Sequence, residues 1–112
     1  SNLPKNIPPN QDSLKLAWDP LYTAAGIVLN DNATVCFLKE QGYLFRTTVA
    51  NKGFTEGVHY WEIVADSRTE NELKIGVTTV REFDYNCAFC DHPFGFGYYG
   101  LGQLRSNSNA SG

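Results

Sequence analysis

At 112 residues the chain has room for one domain, and a hydrophobic fraction of 42% is enough to build a core. Nine Lys and Arg against twelve Asp and Glu leave a net charge of −3, with the basic residues scattered from Lys5 to Arg105, so no nucleic-acid surface is encoded. No apolar run approaches the roughly 18 residues of a membrane span, so no membrane partner is expected.

The opening residues, with Pro4, Pro8 and Pro9 among Asn, Gln and Asp, read as an extended lead-in over 1–13 and are too polar for a signal peptide. From Leu14 the pattern turns strand-like. Leu14, Leu16 and Trp18 alternate with Lys15 and Ala17, and Asp19-Pro20 is expected to close that strand. Ile27-Val28-Leu29 is a short β run, Asn30-Asp31-Asn32 is a turn, and residues 34–38 form the hairpin partner. Lys39-Glu40-Gln41-Gly42 marks the next turn, followed by a strand over 43–50.

Gly53 and Gly57 bracket a short excursion, and a strand is predicted over 58–66, rich in aromatics and β-branched residues. Residues 67–71 are a polar loop. Leu73, Ile75 and Val77 alternate with Lys74, Gly76 and Thr78, the mark of a half-buried strand. Residues 81–93 lack a clear period of two and read as a long structured loop. Strands return at 94–99 and 101–105, split by Gly100-Leu101-Gly102, and 106–112 reads as a flexible polar end. No helical period lasts beyond about two turns, and turn signals recur at sandwich spacing. The fold class expected is all-β, an antiparallel sandwich over 14–112.

In order along the chain stand Trp18-Asp19-Pro20, Gly53-Phe54-Thr55-Glu56-Gly57-Val58-His59-Tyr60-Trp61-Glu62, Lys74-Ile75-Gly76-Val77 and Phe96-Gly97-Tyr98-Tyr99-Gly100. This composite resembles the SPRY domain family. The resemblance implies a bent antiparallel β-sandwich of concanavalin-like jelly-roll type. It implies a non-catalytic module that binds a peptide or protein segment through loops at one end, as a substrate-recruiting adaptor of ubiquitin ligases or a scaffold. The family pattern continues into closing strands that these residues do not include. The chain is therefore expected to be the N-terminal part of such a domain, incomplete by itself. The missing C-terminal half, as a separate chain or segment, is an expected partner.

Carried onto this sequence, the resemblance points to two ligand-facing loops. Lys39, Gln41 and Tyr43 lie where some SPRY domains grip a peptide with an Arg-Pro-containing loop, a pattern absent here. Arg81, Phe83, Asp84, Tyr85 and Asn86 form the second loop, whose aromatic anchors and adaptable polar groups suit a binding surface. Tyr98 and Tyr99 border it, with one of the two expected to be exposed. The reading from another class is a lectin-like sandwich stacking aromatics on sugars.

Catalysis and cofactors find little footing. Cys87-Ala88-Phe89-Cys90-Asp91-His92 invites a zinc or redox reading, but a second ligand pair at metal spacing is missing and the βαβ setting of a redox motif is absent. Three cysteines, an odd number, fit a reducing intracellular and cytoplasmic setting. The sequons at Asn32 and Asn109 then read as chance. His59 is expected to be a structural histidine. Glu62 is expected to be a part-buried acid paired with Lys74 or Arg46. No enzyme activity, metal or cofactor is expected.

Overall fold

The computed structural model describes residues 15–39, 44–69, 72–100, 102–107 and 109–111. Eight strands run through them: β1 (Trp18–Thr23), β2 (Ile27–Asn30), β3 (Val35–Leu38), β4 (Thr48–Ala50), β5 (Lys74–Thr78), β6 (Gly95–Tyr99), β7 (Gln103–Ser106) and β8 (Asn109–Ser111). Two 3₁₀ turns, Ser67–Thr69 and Phe89–Asp91, are the only helical pieces among the described residues. No helix there is long and apolar enough to cross a membrane.

All pairings are antiparallel. β1 pairs with β4, β2 with β3, and β5-β6-β7-β8 form a four-stranded sheet in that order. The chain is all-β, an incomplete sandwich of small sheets with apolar faces left uncovered.

The first strand starts later and runs further than its alternation suggested. Leu14 lies outside the described residues, and β1 continues through Pro20 where a stop was expected. Proline has no N–H for a ladder, and β1 meets β4 at its two ends only, Trp18 opposite Ala50 and Thr23 opposite Thr48, with a register shift between them. Asp19 braces this bulge: its Oδ1 accepts the Leu21 N–H at 3.0 Å and its carbonyl accepts the Thr23 hydroxyl at 2.6 Å.

The β2–β3 hairpin falls where the turn signal put it, with Ile27 opposite Leu38 and Asn30 opposite Val35. Its turn holds Asp31, Asn32 and Ala33 at φ of 54°, 57° and 63°. Asn and Asp tolerate this left-handed region, whereas alanine pays for its Cβ there. Ala33 is kept in place because its carbonyl accepts the Trp18 N–H at 2.8 Å. Ala33→Gly is therefore expected to stabilise the protein by about 1 kcal/mol, read as a higher urea midpoint. An unchanged or lower midpoint counts against strain at this turn.

The strand predicted over 43–50 shrinks to β4, and residues 40–43 lie outside the described set. The larger correction concerns 58–66. These residues form no strand, and no backbone hydrogen bond joins 58–65 to another described residue. Val58 is 100% exposed, Val64 90% and Tyr60 82%. β-propensity needs a sheet edge to pair with, and none of the described strands lies along this stretch. Its aromatics instead close on one another: Phe54 stacks with His59 at 3.9 Å between centroids and with Trp61 at 5.9 Å. His59 sits 2.6 Å from the Glu56 carbonyl through Nε2. Glu62 is exposed and accepts the Tyr60 hydroxyl at 2.5 Å, not a cation.

At the other end the correction runs the opposite way. Residues 109–111, expected to be flexible, form β8 on β7. A two-residue connection with Asn107 at φ 50° makes that hairpin.

What is buried is small. Ala24, Thr47, Ala88, Cys90, Gly95 and Gly97 are the buried side-chain positions among the described residues. In β6 the glycines face inward and Phe96 and Tyr98 outward, 51% and 54% exposed. Val77 and Leu104 share that outward face, since Val77 lies opposite Phe96 and Tyr98 opposite Leu104. The close approach that Gly95 and Gly97 permit is to the 3₁₀ turn at Phe89–Asp91.

Candidate functional site

The loop over 81–87 alternates in burial from residue to residue. Arg81, Phe83, Tyr85 and Cys87 are half-buried, while Glu82, Asp84 and Asn86 are exposed. The sequence carries this alternation openly, apolar or long side chains against short polar ones, although the longer window 81–93 hides it.

Three groups pin the loop from 46–47. The Thr47 N–H donates to the Tyr85 carbonyl at 2.9 Å, and its hydroxyl donates to the Cys87 carbonyl at 2.7 Å. Arg46 Nη1 donates to the Asn86 carbonyl at 2.9 Å. Thr47 is 4% exposed, and its own carbonyl accepts the Ala24 N–H at 3.0 Å. One buried threonine thus couples the end of β1 to the loop. Outside, Asp84 Oδ1 accepts the Asn86 N–H at 2.9 Å, a local turn that aims Asn86 outward.

The inward side chains form an aromatic row. Phe83 meets Tyr85 at 4.4 Å and Phe94 at 5.1 Å, and His92 stacks on Phe94 at 4.8 Å. Tyr85 lies 6.3 Å from Tyr22, whose ring carries the Arg81 guanidinium at 4.9 Å. The Tyr85 hydroxyl donates to the Arg81 carbonyl at 2.6 Å, closing the loop on itself.

Burial pushes the Tyr85 phenol up to about 12, with the charge of Glu82 adding to it. Because the raised value belongs to the folded state, the neutral phenol contributes stability in full below the unfolded value of about 10. That contribution is lost as pH climbs from there toward 12. In an ultraviolet titration of the six tyrosines, Tyr85→Phe is expected to remove the latest-ionising step. An unchanged upper limb would place that step on another tyrosine.

The other predicted residues divide. Tyr98 is exposed on the outer face of β6. Tyr99 points the other way: its ring meets Phe45 edge-on at 5.9 Å, and its hydroxyl donates to Glu72 at 2.7 Å. Lys74 lies over Phe45 at 4.0 Å and over Tyr99 at 5.1 Å, which accounts for its lack of pairing with Glu62. Tyr98 and Tyr99 therefore do not share a surface. Lys39 is exposed just past β3, its N–H donating to Gly26 at 2.8 Å, and no contact ties it to the 81–87 loop. Gln41 and Tyr43 lie outside the described residues.

Cys87 and His92 form a pair that the sequence reading did not single out as such. The Cys87 sulfur is 3.3 Å from His92 Nε2, and the thiol donates to the Asp84 carbonyl at 3.0 Å. Burial raises the Cys87 thiol, and the charges of Asp84 and Asp91 raise it further. A nucleophile or metal ligand needs the thiolate, so this setting works against both. Cys90 is fully buried, and burial raises its thiol too. Among the described residues no three His, Cys, Asp or Glu side chains gather where a metal ion would be held. A shallow open concavity, lined by residues that include Pro20, Thr23, Ala24, Ile27 and Leu29, has no titratable side chain.

Comparison with known proteins finds no family model, no curated protein and no solved structure that matches this chain.

Proposed function

We propose that this chain is part of a non-catalytic protein-interaction module of SPRY type, which takes a peptide or protein segment on its 81–86 loop. The observation that carries the reading is the build of that loop: an aromatic row and Thr47 hold its inner side, and Glu82, Asp84 and Asn86 stand outward on a braced backbone. Such a surface costs little ordering entropy on binding, which is what a recognition loop needs. Tyr98 lies apart from this loop, on the uncovered outer face of β6 with Phe96 and Leu104.

In this reading the module recruits a substrate to a ubiquitin ligase or serves as a scaffold in an intracellular protein. The uncovered sheet faces are where closing strands, on the same chain or another, would pack. Burial and the nearby Asp84 and Asp91 charges, which disfavour the Cys87 thiolate, support a role without chemistry. Sugar binding is less well supported, because Phe54, His59 and Trp61 spend ring faces on one another.

The test is partner capture by the full-length protein from its own cell extract, quantified by mass spectrometry. Replacing Glu82 and Asn86 together by alanine, which leaves the Asp84 brace in place, is expected to lower a specifically captured protein at least roughly tenfold, about 1.4 kcal/mol, with the urea midpoint nearly unchanged. Undiminished capture by a folded variant would falsify the loop assignment. A glycan-array signal that disappears in Trp61→Ala would replace it with the lectin reading.

A further inference from the structure

We draw no further inference here: the strongest candidate, the uncovered apolar face of the four-stranded sheet (Val77, Phe96, Tyr98 and Leu104) together with the unpaired run 58–65, carries nothing, because nothing in the structure shows what covers it.

Discussion

Gly95→Ala is expected to lower stability by about 2–3 kcal/mol, a fall in melting temperature of roughly 10 °C or more. A Cβ at this position would lie 2.2 Å from the Phe89 carbonyl oxygen and 2.7 Å from its carbon. Both are main-chain atoms of a 3₁₀ turn, so no rotamer change relieves the clash. The turn itself cannot back away freely, since the Gly95 N–H donates to the His92 carbonyl at 3.2 Å and the Asn107 N–H to the same carbonyl at 3.1 Å. Alanine restricts the unfolded chain more than glycine, which offsets only a few tenths to 1 kcal/mol.

The informative comparison is the next residue. Phe96 is half-exposed on the other face, so Phe96→Ala is expected to cost only about 1 kcal/mol, half of what full burial would give. Removing one methyl-sized space should thus hurt more than removing a whole phenyl ring. Urea unfolding of both variants measures the order directly. If Phe96→Ala proves the more damaging, the packing of the Phe89–Asp91 turn on β6 is not what holds this sheet.

That inversion explains what was legible in the sequence. The alternation Gly-Phe-Gly-Tyr announced a strand with one bulky face, but nothing in it said that the small face would be the buried one. The β2–β3 hairpin was readable because Asn30-Asp31-Asn32 encodes its own turn and the flanks are apolar, with Ile27, Val28, Val35 and Phe37 among them. β8 was not, since Asn109-Ala110-Ser111 lacks the β-branched and aromatic residues that mark a strand. The run 58–66 shows the converse error. High propensity and large aromatics describe a willing strand, yet a strand exists only where a second edge meets it.

The candidate site was half legible for a related reason. Arg81, Phe83, Asp84, Tyr85 and Asn86 stand as one loop through the family resemblance, and the structure keeps them together. Of Tyr98 and Tyr99 one is expected to be exposed, and period two decides which: Tyr98 faces out, while Tyr99 turns to Phe45 and Glu72. Thr47 left no trace at all. Between Arg46 and Thr48 it looks like ordinary strand filler, and its role rests on contacts about 40 residues away.

Thr47→Val tests that role with almost no change of shape. Valine keeps the volume and the main-chain bonds to Ala24 and Tyr85 but removes the hydroxyl that donates to the Cys87 carbonyl. A buried carbonyl left without its donor costs about 1–3 kcal/mol, and this one is part-buried, so a loss of about 1–2 kcal/mol is expected in urea unfolding. Thr47→Ser is the counterpart: it keeps the hydroxyl and deletes one methyl, a loss of about 0.8 kcal/mol. The order Val worse than Ser is the signature of the hydrogen bond, because packing alone predicts the reverse. The damage should also be local. Hydrogen exchange is expected to quicken at the loop amides 86 and 87 in Thr47→Val before it quickens in β6, and partner capture through the 81–86 loop should weaken in step. Should valine instead match or exceed the wild-type midpoint, the loop is held by its aromatic row, and the threonine is only filling space.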